Sequence, residues 1–108
     1  MIKPSKVVFI SDKLEKNFNM LKAGDPIKKG IIRAIKDLRE NAFCGDQIPK
    51  RLIPKDYIRK YGINNLWRYD LPNAWRLLYA VTPENKVELI SAILDWFNHK
   101  KYERRMKY

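Results

Sequence analysis

Trp75-Arg76-Leu77-Leu78-Tyr79-Ala80-Val81, then Thr82-Pro83-Glu84-Asn85, then Val87-Glu88-Leu89-Ile90-Ser91-Ala92-Ile93-Leu94-Asp95-Trp96 is the stretch that decides the fold. Both apolar runs are rich in β-branched, aromatic and aliphatic residues, and Pro83 stands where a type I turn takes proline. The pattern predicts two strands joined by that turn. The second run is the most apolar of the chain, as a strand buried on both faces must be, so it is expected to be central. Immediately upstream, Asn65-Leu66-Trp67-Arg68-Tyr69-Asp70-Leu71 has the same character. Leu71-Pro72-Asn73-Ala74 forms the turn that pairs it with 75–81 as a hairpin. Ile48 to Pro54 has room only for a short strand, because its prolines remove ladder donors, and Lys55 to Gly62 reads as one or two helical turns.

Working outward to the N-terminus, Val7-Val8-Phe9-Ile10 reads as a strand, and Ser11-Asp12 as the cap of a following helix. Leu14, Phe18 and Leu21 recur at the spacing of one helix face, and Ala23-Gly24 supplies a stop. Asp25-Pro26 starts a second helix: Asp caps, and proline at the first helical position gives up an amide hydrogen that had no partner. Ile27, Ile31, Ile35 and Leu38 carry that helix to about Asn41. The expectation is therefore one α+β domain over residues 1–108. A strand and a two-helix hairpin pack on a mostly antiparallel sheet of four to five strands, and Lys100 to Tyr108 follow as a short basic tail or helix.

The 108 residues, 45% hydrophobic and 12% aromatic, suffice for a core and exclude disorder and a second domain. No apolar run approaches the roughly 20 residues of a bilayer span. The opening Met1 to Lys13 lacks the length and small-residue cleavage site of a signal peptide, so the reading is cytoplasmic. One Cys (Cys44) and one His (His99) exclude an internal disulfide and a zinc site, and no metal or cofactor is expected.

The net charge is +11. Lys50, Arg51, Lys55, Arg59, Lys60 and Arg68 face one acid, Asp56, within 50–68. Lys100, Lys101, Arg104, Arg105 and Lys107 face only Glu103 within 100–108. The other 80 residues carry 12 basic and 10 acidic groups, so nearly the whole excess sits in two stretches that also hold Tyr57, Tyr61, Trp67, Tyr102 and Tyr108. Three readings of that concentration stand: a solvated surface that keeps the chain soluble, a seat for an acidic protein, or a groove for phosphates and unpaired bases. In the last, Lys50, Arg51, Lys55, Arg68, Lys100, Arg104 and Arg105 are the candidate phosphate-binding residues.

Arg76 lies within an apolar strand, on the face of Leu78 and Ala80 and opposite Trp75, Leu77 and Tyr79. Such an arginine needs an anion, either an internal carboxylate (Asp70 across the hairpin, or Asp95 on the next strand) or a ligand phosphate gripped by the guanidinium fork. His99 is either an exposed histidine without a role or a general acid or base. Tyr102 and Tyr108 are packing residues or reagents, and Trp67, Trp75 and Trp96 are packing residues or stacking platforms. The dispersed Gly24, Gly30, Gly45 and Gly62 form no phosphate loop. What survives is metal-free phosphoester chemistry on RNA. It requires a base for the 2′-hydroxyl, cations for the phosphate and an acid for the leaving oxygen.

The order strand, helical hairpin and run of strands resembles the RelE/ParE toxin superfamily over nearly the whole chain. The specific part is Trp75 to Val81 followed by the long strand to Leu94 and then His99-Lys100-Lys101-Tyr102-Glu103-Arg104-Arg105. The resemblance implies the toxin of a type II toxin–antitoxin pair. In the RelE-like branch it implies an endoribonuclease that cleaves mRNA on the ribosome without metal, leaving a 2′,3′-cyclic phosphate. By the same resemblance Arg76 matches the strand arginine on the scissile phosphate, Tyr102 a tyrosine that stacks or transfers protons, and His99 a position often held by His or Arg. Lys50, Arg51 and Lys55 fall where basic or acidic catalytic groups stand in that branch. The implied partners are mRNA, the ribosome and an acidic antitoxin. The ParE-like branch, whose members inhibit DNA gyrase, is the alternative, as is a non-cleaving relative that binds RNA or an acidic partner by charge. The 54–64 segment is longer than usual for the family.

Overall fold

The computed structural model describes residues 2–106; Lys107 and Tyr108 of the basic tail lie outside the described residues. The chain runs β1 (Ser5–Phe9), α1 (Asp12–Met20), α2 (Pro26–Glu40), β2 (Asp46–Gln47), a 3-10 turn at Lys50–Leu52, and α3 (Lys55–Tyr61). It continues through β3 (Trp67–Asp70), β4 (Arg76–Pro83), β5 (Leu89–Phe97) and α4 (His99–Met106). The fold is α+β, with a mixed five-stranded sheet in the order β1-β5-β4-β3-β2. Three of the four strand pairs are antiparallel and β1 is parallel to β5, so the first strand lies beside the last.

Local chemistry sets the N-terminal elements. The Ser11 hydroxyl accepts from the Leu14 N–H at 3.2 Å and Asp25 accepts from the Ile27 N–H at 2.8 Å, each satisfying a donor that a helix start leaves open. Pro26 opens α2 as expected. Helix α1 stops earlier than Ala23-Gly24, at Leu21, whose backbone turns extended. The prolines of 48–54 exclude a strand there: β2 forms just upstream at Asp46–Gln47, and the 3-10 turn takes Lys50–Leu52. Pro83 is likewise not in the turn. It is the last residue of β4, opposite Leu89, and Glu84 to Glu88 reverse the chain. A strand end tolerates a residue without a donor. Strand β3 starts at Trp67, but the Asn65 side-chain amide bonds Val81 N–H and C=O, both at 2.8 Å, and prolongs the ladder by one step.

Each face of the sheet is covered by helices. On one, Leu77, Tyr79 and Ile93 meet Leu14, Ile27, Ile31, Ala34 and Leu38 of the α1/α2 hairpin. On the other, Leu78, Ala80, Leu94 and Phe97 meet Tyr57 of α3 and Tyr102 and Met106 of α4. The three tryptophans pack half-buried on the hairpin side. Between Leu78 and Tyr79 the register slips, so Leu78 faces Asp95 while Tyr79 faces Ile93. This bulge leaves Leu94 unpaired and turns Asp95 toward the α3/α4 side.

The loop after α2 is fixed from beneath. The Tyr79 hydroxyl, fully buried, donates to Ala42 C=O at 2.9 Å and accepts from Gly45 N–H at 3.0 Å. A Cβ on residue 45 would stand 2.5 Å from Arg68 C=O and 2.8 Å from that hydroxyl, so only glycine fits. Tyr79→Phe is expected to cost about 1–3 kcal/mol in urea unfolding, because it leaves the part-buried Gly45 N–H and the buried Ala42 C=O without this partner. A loss under a few tenths of a kcal/mol would show that the hydroxyl is replaceable.

Candidate nucleic-acid interface

Helix α4 organises the candidate residues, because each of its turns presents a different group. Asn98 caps it, accepting from the Lys101 N–H at 2.9 Å. In the first turn, exposed His99 directs Nε2 at Glu103 Oε1, one turn on. In the middle, Tyr102 is 2% exposed, its ring 6.4 Å from that of Phe97 and 6.0 Å from the guanidinium of Arg68. In the last turn, Arg104 and Arg105 face α3 across a groove.

That groove joins the two basic stretches. About 690 Å³ in volume, it is lined by Arg51, Lys55 and Arg59 on one side and Arg104 and Arg105 on the other, with Leu52, Ile53, Pro54 and Met106 as its apolar part. Its single carboxylate, Asp56, pairs with Arg105 at 3.1 Å. Arg105 also lies over the Tyr57 ring, 5.3 Å from its centroid, so its charge is fixed in place. Among the described residues no carboxylate pairs with Arg51, Lys55, Arg59 or Arg104. Arg59 was not among the candidates singled out above, although it stands one helical turn after Lys55 and that spacing places both on one face. Lys50 and Lys100 are exposed but do not line the groove.

A second cationic cluster lies on the same side of the sheet and is internally balanced. Arg76 is directly opposite Asp70, with Nε 3.3 Å from Oδ1, so the nearer of the two internal carboxylates is its partner. Arg68 Nε is 3.2 Å from the same oxygen, and Arg68 Nη2 is 2.9 Å from Asp46 Oδ2. Burial weakens the charged form of Arg68, but the Tyr102 hydroxyl, Asp46 and Asp70 outweigh it and raise its pKa. Strand register joins this cluster to α4, since Arg76 is opposite Phe97, two residues before His99.

Beneath the helices sit a buried tyrosine hydroxyl and a half-buried carboxyl. Burial raises the pKa of the Tyr57 hydroxyl, which has no hydrogen-bond partner. Burial also raises that of Asp95, while the Trp96 N–H, Lys101, Arg105 and Lys60 act in the opposite direction. Among the described residues no group of His, Cys, Asp and Glu is placed to hold a metal ion, and no helix is long and apolar enough to cross a membrane. No family model, curated protein or solved structure matches the chain.

The Asp95 shift has a signed consequence. A carboxyl whose folded pKa lies above the ordinary aspartate value of 3.8 burdens the fold when charged, and the burden disappears below that value. Asp95→Asn, which keeps an acceptor for Trp96 N–H, is expected to raise Tm at pH 7, the gain shrinking to nothing below about pH 3.8. Thermal melts from pH 3 to 7 check this, and a gain independent of pH refutes it.

Proposed function

We propose that this protein is an RNA-directed toxin of the RelE/ParE kind, a metal-independent endoribonuclease that takes a strand of mRNA on the ribosome along α4. The observation that carries the reading is the groove in which Arg51, Lys55 and Arg59 stand together with Arg104, remote from them in sequence, all without carboxylate partners. Uncompensated cations along a cleft concentrate a polyanion and release its counterions on binding. The element order, from N-terminal strand and helical hairpin through the strands to a basic helix, is the order the resemblance implies.

In this reading Arg76, with Arg68 beside it, takes the scissile phosphate. The 2′-oxygen attacks phosphorus, the bond to the 5′-oxygen breaks, and a 2′,3′-cyclic phosphate and a 5′-hydroxyl result. His99, exposed and oriented by Glu103, takes the proton from the 2′-hydroxyl, and a proton from solvent water goes to the departing 5′-oxygen. Tyr102, buried beneath Arg68, acts as a positioning residue. An acidic antitoxin segment competes for the same groove. A second reading, a binder without cleavage, is favoured by one observation: Arg76 is already paired with Asp70.

The first of two measurements tests the groove that both readings share, and the second separates the readings. Arg59→Ala with Arg104→Ala is expected to weaken binding of single-stranded RNA and to reduce the slope of log K against log salt by about 0.7 per lost phosphate contact. An unchanged slope in fluorescence anisotropy removes the groove from RNA binding. Primer extension on mRNA in a translating extract is expected to show discrete stops for the wild type that Arg76→Ala abolishes. No stops with folded wild-type protein leave the non-cleaving reading standing.

A further inference from the structure

Arg68 and Arg76 are diagonal neighbours on one face of the β3–β4 pair, since Arg68 is opposite Leu78 and Arg76 is opposite Asp70. Two guanidinium groups so placed repel unless an anion lies between them. Asp70 Oδ1 is that anion, 3.2 Å from one Nε and 3.3 Å from the other. Both Nε atoms are shielded from solvent, yet neither N–H is aligned on the carboxylate as a hydrogen bond. One carboxylate oxygen shared between two donors satisfies neither well, whereas a tetrahedral phosphate offers each a separate oxygen. The side chain that fills the place is 58% exposed and the arginines only 29% and 19%, so the carboxylate is the member free to leave.

We propose that Arg68 and Arg76 form a phosphate seat that Asp70 occupies in the free protein, and that an arriving phosphate group displaces the Asp70 carboxylate. The natural ligand is a backbone phosphodiester of single-stranded RNA, a step that rests on the reading above; the seat itself does not. Asp70 thereby sets a threshold. The clamp opens to a phosphate already concentrated by the neighbouring groove and stays closed to dilute anions.

The test is titration with inorganic phosphate, followed through the Nε–H resonances of both arginines by NMR. Asp70→Asn is expected to bind phosphate about five-fold more tightly than wild type and to move both resonances. Glu15→Gln, which removes the same charge from exposed α1, is expected to leave affinity unchanged. A folded Asp70→Asn protein with wild-type affinity overturns the proposal, as does a gain that Glu15→Gln reproduces or shifts confined to Arg51, Arg59 and Arg104. If Asp70→Asn does not fold, wild-type protein at saturating phosphate must move the same two resonances, and their constancy overturns the proposal. Should these results hold while the groove variants leave RNA binding intact, the RNA reading fails and the phosphate seat remains.

Discussion

Strand β4 has no solvent face along its middle. Leu77 and Tyr79 point to one side and Leu78 and Ala80 to the other, and all four are buried. Burying such side chains stabilises the fold by about 1.5–3 kcal/mol each for the larger ones, so the sheet requires a cover on both sides. Helices α1 and α2 provide one. The other falls to α3 and α4, of seven and eight residues, each too short to persist alone in water. They exist as helices because Tyr57, Tyr102 and Met106 pack on Leu78, Ala80, Leu94 and Phe97. The core therefore dictates where the basic residues on their outer faces meet.

The cations of that surface fall into two electrostatic kinds. Arg68 and Arg76 are matched by Asp46 and Asp70, and a half-buried charge needs such compensation, because a guanidinium stripped of water without an anion is costly. The groove cations are exposed, keep their hydration and need no partner. The first kind gives geometry and the second gives field. In the proposed function a polyanion is attracted by the second before it competes for the first.

Much of the fold was legible because it is written in local chemistry. Ser11 and Asp25-Pro26 mark helix starts, Gly62 closes α3 in the left-handed conformation at φ 64°, and the alternation through Arg76 to Ala80 assigns the faces. What was not legible depends on pairing at a distance. Pro83 reads as a turn residue because proline suits both a turn and a strand end, and only Leu89 opposite it decides. The bulge at Leu94/Asp95 leaves no mark in an apolar run. Of the site, the basic stretches and Arg76 were visible as composition. Their meeting, the part of Arg59 and the choice of Asp70 over Asp95 for Arg76 were not, since each needs the packing of α3 and α4 or a strand register.

The groove also separates rigidity from freedom. Arg105 is tied to Asp56 and held over Tyr57, whose ring lies in the core, so one positive charge on that side of the groove is fixed. Lys101, Arg105 and Lys60 all act on the half-buried Asp95, which the bulge turns to this side, so a carboxylate lies behind the cations and moderates their repulsion. The other groove cations, Arg51, Lys55, Arg59 and Arg104, carry long side chains with no such ties and adapt to whatever lies between them. One fixed charge among adaptable ones suits a ligand of regular charge and variable shape, which is the character of a single nucleic-acid strand. A ligand read by shape would need every wall of the groove to be preformed, which these untied side chains do not provide.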